Sequence, residues 1–582
     1  NGSGRNLANG GGTHLEPNAF VLAASGPIAI TGTQGASSSY EDVVVNGTVG
    51  YSATLPAGFG IASPVTSSTS NITITADSLS ANRVFGGGTF TGSAIQSGGT
   101  LTIAPRTNGK AMAVQTANPG AGPLWINPTS MFGSSGLFKT GFSKFVFGNG
   151  TTGTITLDNY SFDNDTEINT AGAATLGAVT IANNDLIVNV TGGGAITDTG
   201  AVATKGLKLN ASTSSVTLDS ATNAIGTLAA NVAALSVTNG SALTIGSVEG
   251  MDGINATGLI DVATLAGNLT ASKNITTTST ANNAITLNAG KNTAAGTATG
   301  GNVIISGAPA ITTGAGGRAT VFTGSVSGST GVSALAGAGH YRYNSDEVTT
   351  NYTTALGAGT FAIYRESPVI TVKANDAAKI FDGTAYSGNN GATISGFVNG
   401  ETEAVLNGTL AFGGTANGAS NLGTYTFTVA GLSNELGYTI NHVNGMLTIL
   451  QPQTMSTPAP ASPASPTSTP SPQQEAAEQA AQIVPVPSPL PVVTAMPALP
   501  GTTPQAGNAA EGPLAVGTME VVQISSADDP QAGDDFDFAQ AGGTANMADF
   551  LKVFVIDGGV RMPGGMQGLP PTEISEGEGD DE

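Results

Sequence analysis

"AITLN", residues 284–288, puts Ile285 and Leu287 on one side of a short extended segment and Thr286 on the other. Alternation with a period of two marks a strand with one buried face. The pattern returns as "NITIT" (71–75), "TLTIA" (100–104), "TITLD" (154–158), "AVTIA" (178–182), "SVTLD" (215–219), "ALTIG" (242–246) and "NVIIS" (302–306). A three-residue strand cannot bury its face alone. Stacked on neighbours of the same kind, it completes a continuous sheet and a continuous core. The spacing from Leu269 to Leu287 to Ile305 gives a period of about 18 to 20 residues, at the low end for solenoids. Residues 1–350 are therefore expected to form a right-handed parallel β-helix, with Gly, Asn and Ala at its corners and a C-terminal cap.

Composition supports an all-β chain. Only 10% of the 582 residues are charged, 83 are Gly, and the helix-favouring Glu, Lys, Arg and Gln are scarce outside the tail. The formal net charge is −22 with 17 Lys and Arg, which argues against nucleic-acid binding, because phosphate neutralisation needs cations. There is no cysteine, so disulfides, thiolate metal sites and Cys nucleophiles are excluded. No apolar stretch approaches the roughly 18 to 20 residues of a membrane helix. The chain begins at Asn1 without a visible signal peptide, and we expect a processed or truncated product.

Beyond the repeats the character changes. "HYRYNSDE" (340–347) and "FAIYRESP" (361–368) bring charges and aromatics. They are expected to cap the solenoid or join it to the next domain, because an open sheet edge needs protection. A ligand-binding cluster of His340, Tyr341, Arg342 and Tyr343 is the competing reading. Residues 366–450 hold six alternating segments: "PVITVKAN", "ATISGFV", "GTLAFGG", "GTYTFTVAGL", "GYTINHV" and "GMLTIL". Their spacing predicts a small β-sandwich. Residues 451–516 contain 15 of the 29 prolines and predict an extended, disordered linker. Residues 517–582 form an acidic tail, expected to be disordered, with one apolar segment at 548–563.

Three segments carry a family resemblance. "YRESPVITVKANDAAKIFDGTAYSGNNGATISGFVNGE" and "GTYTFTVAGLSNELGYTINHVNGMLTIL" resemble the MBG/YDG domain of large bacterial surface proteins, over about 85 residues. Phe381, Asp382, Gly383 and Thr384 carry its signature turn, with Phe381 where the family usually has Tyr. The Gly/Asn/Thr-rich coils resemble the β-helix of filamentous haemagglutinins. "LKVFVIDGGVRMP" resembles the C-terminal segment of two-partner-secreted exoproteins. Together these imply the C-terminal part of such an exoprotein. The amino-terminal secretion domain of that family is not recognisable.

An Asp-Gly-Thr after two apolar residues also resembles the loop of haloacid dehalogenase phosphatases. In that alignment Ile380 occupies the nucleophile position, and isoleucine cannot form an aspartyl-phosphate. Asp382 and Gly383 are therefore expected to close a turn, with Phe381 packed inward and Asp382 accepting backbone N–H bonds. The densest carboxylate run, "LDNYSFDNDTE", holds Asp158, Asp163, Asp165 and Glu167. Asp163 and Asp165 are a weak Ca²⁺ candidate, alternating on one strand face, and a solvated turn is the simpler expectation. A β-helix polysaccharide-active enzyme would need such carboxylates clustered on one face. His14, His340 and His442 lack the local spacing of a zinc site. Sequons occur at Asn46, Asn71, Asn149, Asn189, Asn239, Asn274 and Asn407; chance in an Asn/Ser/Thr-rich chain accounts for them.

The expected function is non-enzymatic, without a cofactor. It is that of a secreted adhesin, aggregation factor or biofilm scaffold at a Gram-negative cell surface, exported by two-partner secretion. Expected partners are the outer-membrane transporter, glycans, host surfaces or neighbouring cells, and further copies of the chain. Phe550, Leu551, Val553, Phe554, Val555 and Ile556 form the expected surface anchor. The alternative class is a filament subunit joined by β-edges or solenoid ends.

Overall fold

The computed structural model describes residues 13–15, 20–32, 42–45, 48–50, 67–81, 94–453, 554–556 and 559–561. Up to Tyr364 the short strands of successive coils pair in parallel along three faces. On the first face, Ile168, Val188, Leu209, Ala230, Ile254 and Ile275 sit in register. On the second, Ile155, Ala174, Ile196, Val216, Leu235, Ile260, Ile285 and Ala319 do the same. The third face aligns Leu243, Leu269 and Val303. All of these side chains are buried in one continuous core. The alternation seen in "AITLN" is the rule: inward residues are aliphatic, and the residue between them faces out.

The period differs from the expected one. First-face steps from Ile168 to Ile275 are 20, 21, 21, 24 and 21 residues, and the next, to Ile311, is 36. Leu269 and Ile305 lie on third-face strands paired with each other, whereas Leu287 belongs to the second face. The even spacing of those three residues thus crosses faces and does not measure a coil. Only the inward residues must be in register; the corners are free to lengthen.

The corners explain the Asn and Asp content. Where the ladder breaks, side-chain oxygens accept backbone N–H groups from the next coil. Asp158 Oδ1 accepts Ala178 N at 2.8 Å, Asp198 Oδ1 accepts Asp219 N at 3.0 Å, and Asn274 Oδ1 accepts Ala310 N at 2.8 Å. Each bond joins one coil to the next where no strand pairs, so these residues act as staples between coils. On the outward first face, Asn169, Asn189, Asn210, Asn231 and Asn255 stack in register. Asn189 donates to Asn169 at 2.9 Å and Asn255 to Asn231 at 2.9 Å.

The last rung is Gly359–Tyr364, paired with Arg318–Thr323 and Tyr341–Arg342. Residues 369–450 then form two sheets. One has Val369–Ala374 at its centre, between Ala392–Ser395 and Thr439–Val443. The other runs Ala377–Ile380, Gly445–Leu450, Gly423–Asn434, Leu406–Gly414. Ile370, Val372, Phe427, Val429, Leu447 and Ile449 are buried there. All six expected segments are strands; the strand Ala377–Ile380, just before the signature turn, is additional. A separate unit contains an antiparallel pair, Phe554–Ile556 with Gly559–Arg561. Among the described residues, no helix is long and apolar enough to cross a membrane.

Candidate functional site

The aromatic and charged segment around residue 343 forms the joint between the solenoid and the small domain. Tyr343 N donates to Leu436 O at 2.8 Å, and Thr353 N to Glu435 O at 3.0 Å. The Tyr343 ring lies 5.6 Å from Tyr364 and 4.5 Å from Tyr438. Its hydroxyl donates to Glu401 Oε2 at 2.9 Å, and the Tyr438 hydroxyl donates to the same oxygen at 2.5 Å. Asn399 Nδ2 donates to the Tyr343 hydroxyl at 3.0 Å. Burial raises the Glu401 carboxyl above its ordinary range, against the lowering effect of Tyr438, Tyr343 and Arg342. Burial likewise raises both tyrosines, and pushes Tyr364 up to about 12. Gly437 (φ +100°) is required here: a Cβ would stand 2.2 Å from Tyr343 O.

Of the four clustered residues, Tyr343 reaches the small domain, whereas His340, Tyr341 and Arg342 pack within the solenoid's end. His340 Nδ1 is 2.9 Å from Ala336 O, and its ring packs 4.5 Å from Phe361. Tyr341 donates to Ser333 O. The Arg342 guanidinium is buried between Phe361 and Tyr352, 5.5 and 5.6 Å from their ring centres, and donates to Tyr341 O at 2.7 Å. The Glu401–Tyr343–Tyr438 cluster escaped sequence reasoning, because its members are far apart in the chain. The one available signal was a set of tyrosines in a chain with only 10.

The signature turn is built as expected in one respect and differently in another. Asp382 Oδ1 accepts Thr384 N at 2.9 Å, and Gly383 takes φ +76°. Lys379 Nζ lies 2.9 Å from the same carboxylate. The bond from Lys379, then those from Thr384, hold Asp382 well below the usual carboxylate range. Phe381, however, does not pack inward. It is exposed, as are Ile380 and Leu450 beside it on the sheet edge. The inward positions of this strand are filled by Ala377 and Lys379, so parity turns Ile380 outward and the chain turns before Phe381 can re-enter.

Asp163 and Asp165 also sit at a corner. Asp163 accepts from the Asn183 and Asn184 amides at 3.1 and 3.0 Å, and Asp165 from Asp185 N at 3.0 Å. Glu167 is tied to Lys144 and to Asn169, and Asp158 to the next coil. The four carboxylates do not converge. Among the described residues, no group of three His, Asp or Glu side chains converges as a metal site. His14, His340 and His442 lie on or beside separate strands. The sequons divide sharply: Asn239 is fully buried with its amide bonded to Ile225, Ser241 and Ala242 carbonyls, whereas Asn71, Asn274 and Asn407 are exposed. Asn46 lies outside the described residues, as do Phe550, Leu551 and Val553. Phe554, Val555 and Ile556 form one strand of the C-terminal pair.

These features define a parallel β-solenoid carrying a small two-sheet β-domain. That domain, over residues 370–448, matches the family model described as MBG domain (YGX type). No curated protein and no solved structure matches the chain.

Proposed function

We propose that the chain is a non-enzymatic surface protein that works by adhesion, cell aggregation or matrix scaffolding outside a Gram-negative cell. The observation that supports it is the MBG domain, typical of surface-associated adhesin-like proteins, mounted on a rigid stack of coils. Export by two-partner secretion follows from the sequence resemblances. A solenoid presents the same outward chemistry at every coil, here rows of Asn and Thr. Many weak contacts along it add up through effective concentration. Neighbouring cells and glycans are the partners, and the outer-membrane transporter is the partner in export.

The test is whether purified protein aggregates bacteria or binds a defined polysaccharide. Failure of both overturns the adhesive reading. One observation favours a second reading, a filament subunit: the edge strand Ala377–Ile380 is open on one side and flanked by exposed Ile380, Phe381 and Leu450. Concentration-dependent fibres under the electron microscope would select it.

A further inference from the structure

One strand of the solenoid is out of order. Leu124–Ile126 pairs in parallel with Met112–Val114, which also pairs with Ile155–Leu157. Among the described residues, it has no other ladder partner. Beside it runs Leu79–Ala81, the edge of a separate sheet. The two edges line a common cavity but share no described ladder bond.

Their geometry fixes which groups are free. Leu124 N bonds to Ala111 O, and Gln115 N to Ile126 O. In a parallel strand alternate residues turn their backbone groups to opposite sides. Trp125 therefore directs its N–H and C=O away from that ladder, toward Leu79–Ala81. Between the edges is a cavity of about 290 Å³, lined by Leu79, Leu137 and Met131 as well as Ser80, Ser130 and Trp125. The Trp125 indole is half-buried and held by its Nε1–H, which donates to Gln115 O at 2.8 Å. The Ser80 hydroxyl in the wall is buried without a hydrogen-bond partner.

We propose that this cavity is a lectin site for one neutral hexopyranose residue of a glycan, stacked on the Trp125 indole. A pyranose has an apolar C–H face and a rim of hydroxyls. The negative face of an aromatic ring attracts the first, and the outward-turned backbone N–H and C=O of Trp125 with the exposed Ser130 hydroxyl meet the second. Among the described residues no charged side chain lines the cavity, and the chain carries a net −22, so uronic and sialic acids are disfavoured. The volume is just below the roughly 300–1,000 Å³ of small-molecule sites, which suits a single ring. This assignment rests on the adhesive reading and names its ligand class.

Trp125 is the sole tryptophan, so intrinsic fluorescence reports directly on the site. The full chain is titrated with methyl glycosides of glucose, galactose, mannose and N-acetylglucosamine, with methyl glucuronide as the anionic control. At least one neutral glycoside should give a saturable change and the glucuronide none. Ser130→Phe, at an exposed rim position, narrows the mouth and should weaken binding at least ten-fold. Trp125→Ala should abolish it by calorimetry. The proposal is overturned if no neutral glycoside shifts the emission, or if Ser130→Phe binds as tightly as wild type. If wild type aggregates cells and Ser130→Phe does so equally, the site is not the adhesive one, although the adhesive reading stands. If wild type binds a glycoside but neither cells nor polysaccharide, the adhesive reading falls and the site remains.

Discussion

In the solenoid, an inward residue finds its neighbours in the coil before and the coil after. In the MBG domain, inward residues find theirs within two small sheets of three and four strands. Leu209 packs in register between Val188 and Ala230, and each of these continues the same column. Leu447, Phe427 and Ile370 are buried on two different sheets within a domain of about 80 residues. The solenoid's order is therefore transmitted along its axis, while the small domain's order is local. This difference predicts what a single cavity does in each. Leu209→Ala should cost about 2 to 5 kcal/mol and raise hydrogen exchange in the coils on both sides. Leu447→Ala should cost a similar amount but confine the faster exchange to residues 369–450. Equal spreading in both variants would remove the distinction.

The joint tests whether the two parts protect each other. The last rung Gly359–Tyr364 is edged by Tyr341–Arg342, and the small domain is tied to the segment that follows by backbone bonds from Tyr343 N to Leu436 O and from Thr353 N to Glu435 O. Gly437→Ala places a methyl against Tyr343 O and forces a left-handed backbone on a residue that resists it. We expect a loss of about 2 to 3 kcal/mol, at the upper end for one strained position. Limited proteolysis should then cut near residue 350. Protection equal to wild type would mean that the solenoid end needs no cover.

A smaller, pH-dependent effect belongs to Glu401. Its carboxyl is raised by burial, so folding favours the protonated form. Its contribution is full below the ordinary glutamate range and is lost as pH rises through the raised value. Glu401→Gln keeps an acceptor for both tyrosine hydroxyls and does not titrate. The stability difference between wild type and this variant should shrink or reverse with rising pH, and flatten above that window. Glu401→Ala should cost about 1 kcal/mol, because the site is only half-buried. Thermal melts at stepped pH decide it; parallel profiles for wild type and Glu401→Gln would exclude Glu401 as the titrating group.

The same contrast governs what could be read from the sequence. Inward triplets such as Ile285–Leu287 were legible because burial demands apolar residues in alternation, and the six strands of the small domain for the same reason. The coil length was not, since loops between Ile275 and Ile311 can grow without disturbing the register. Leu124–Ile126 was not, because a strand inserted out of order has no periodic neighbour to reveal it. The joint was legible only as a change in character near residue 340. Tyr343, Glu401 and Tyr438 meet through the fold, and no local spacing encodes that meeting. The family resemblance located the domain, and the turn reading misplaced Phe381, since strand parity and the turn outweigh the side chain's tendency to be buried.

Asp382 brings the comparison to its smallest scale. In the solenoid, Asp158 and Asp198 reach to the next coil, so removing either oxygen strands a backbone N–H between layers. In the small domain, Asp382 reaches only Lys379 and Thr384 within its own turn, and its side chain is exposed. Asp382→Asn keeps an oxygen for Thr384 N and loses only the attraction to Lys379, which solvent screens. We expect no resolvable change in melting from it, whereas Asp198→Ala, which also removes the acceptor of Asn223 Nδ2, should lower the transition measurably. A large effect at Asp382 would mean that this carboxylate serves something beyond its own turn, and the domain's signature would then be functional as well as structural.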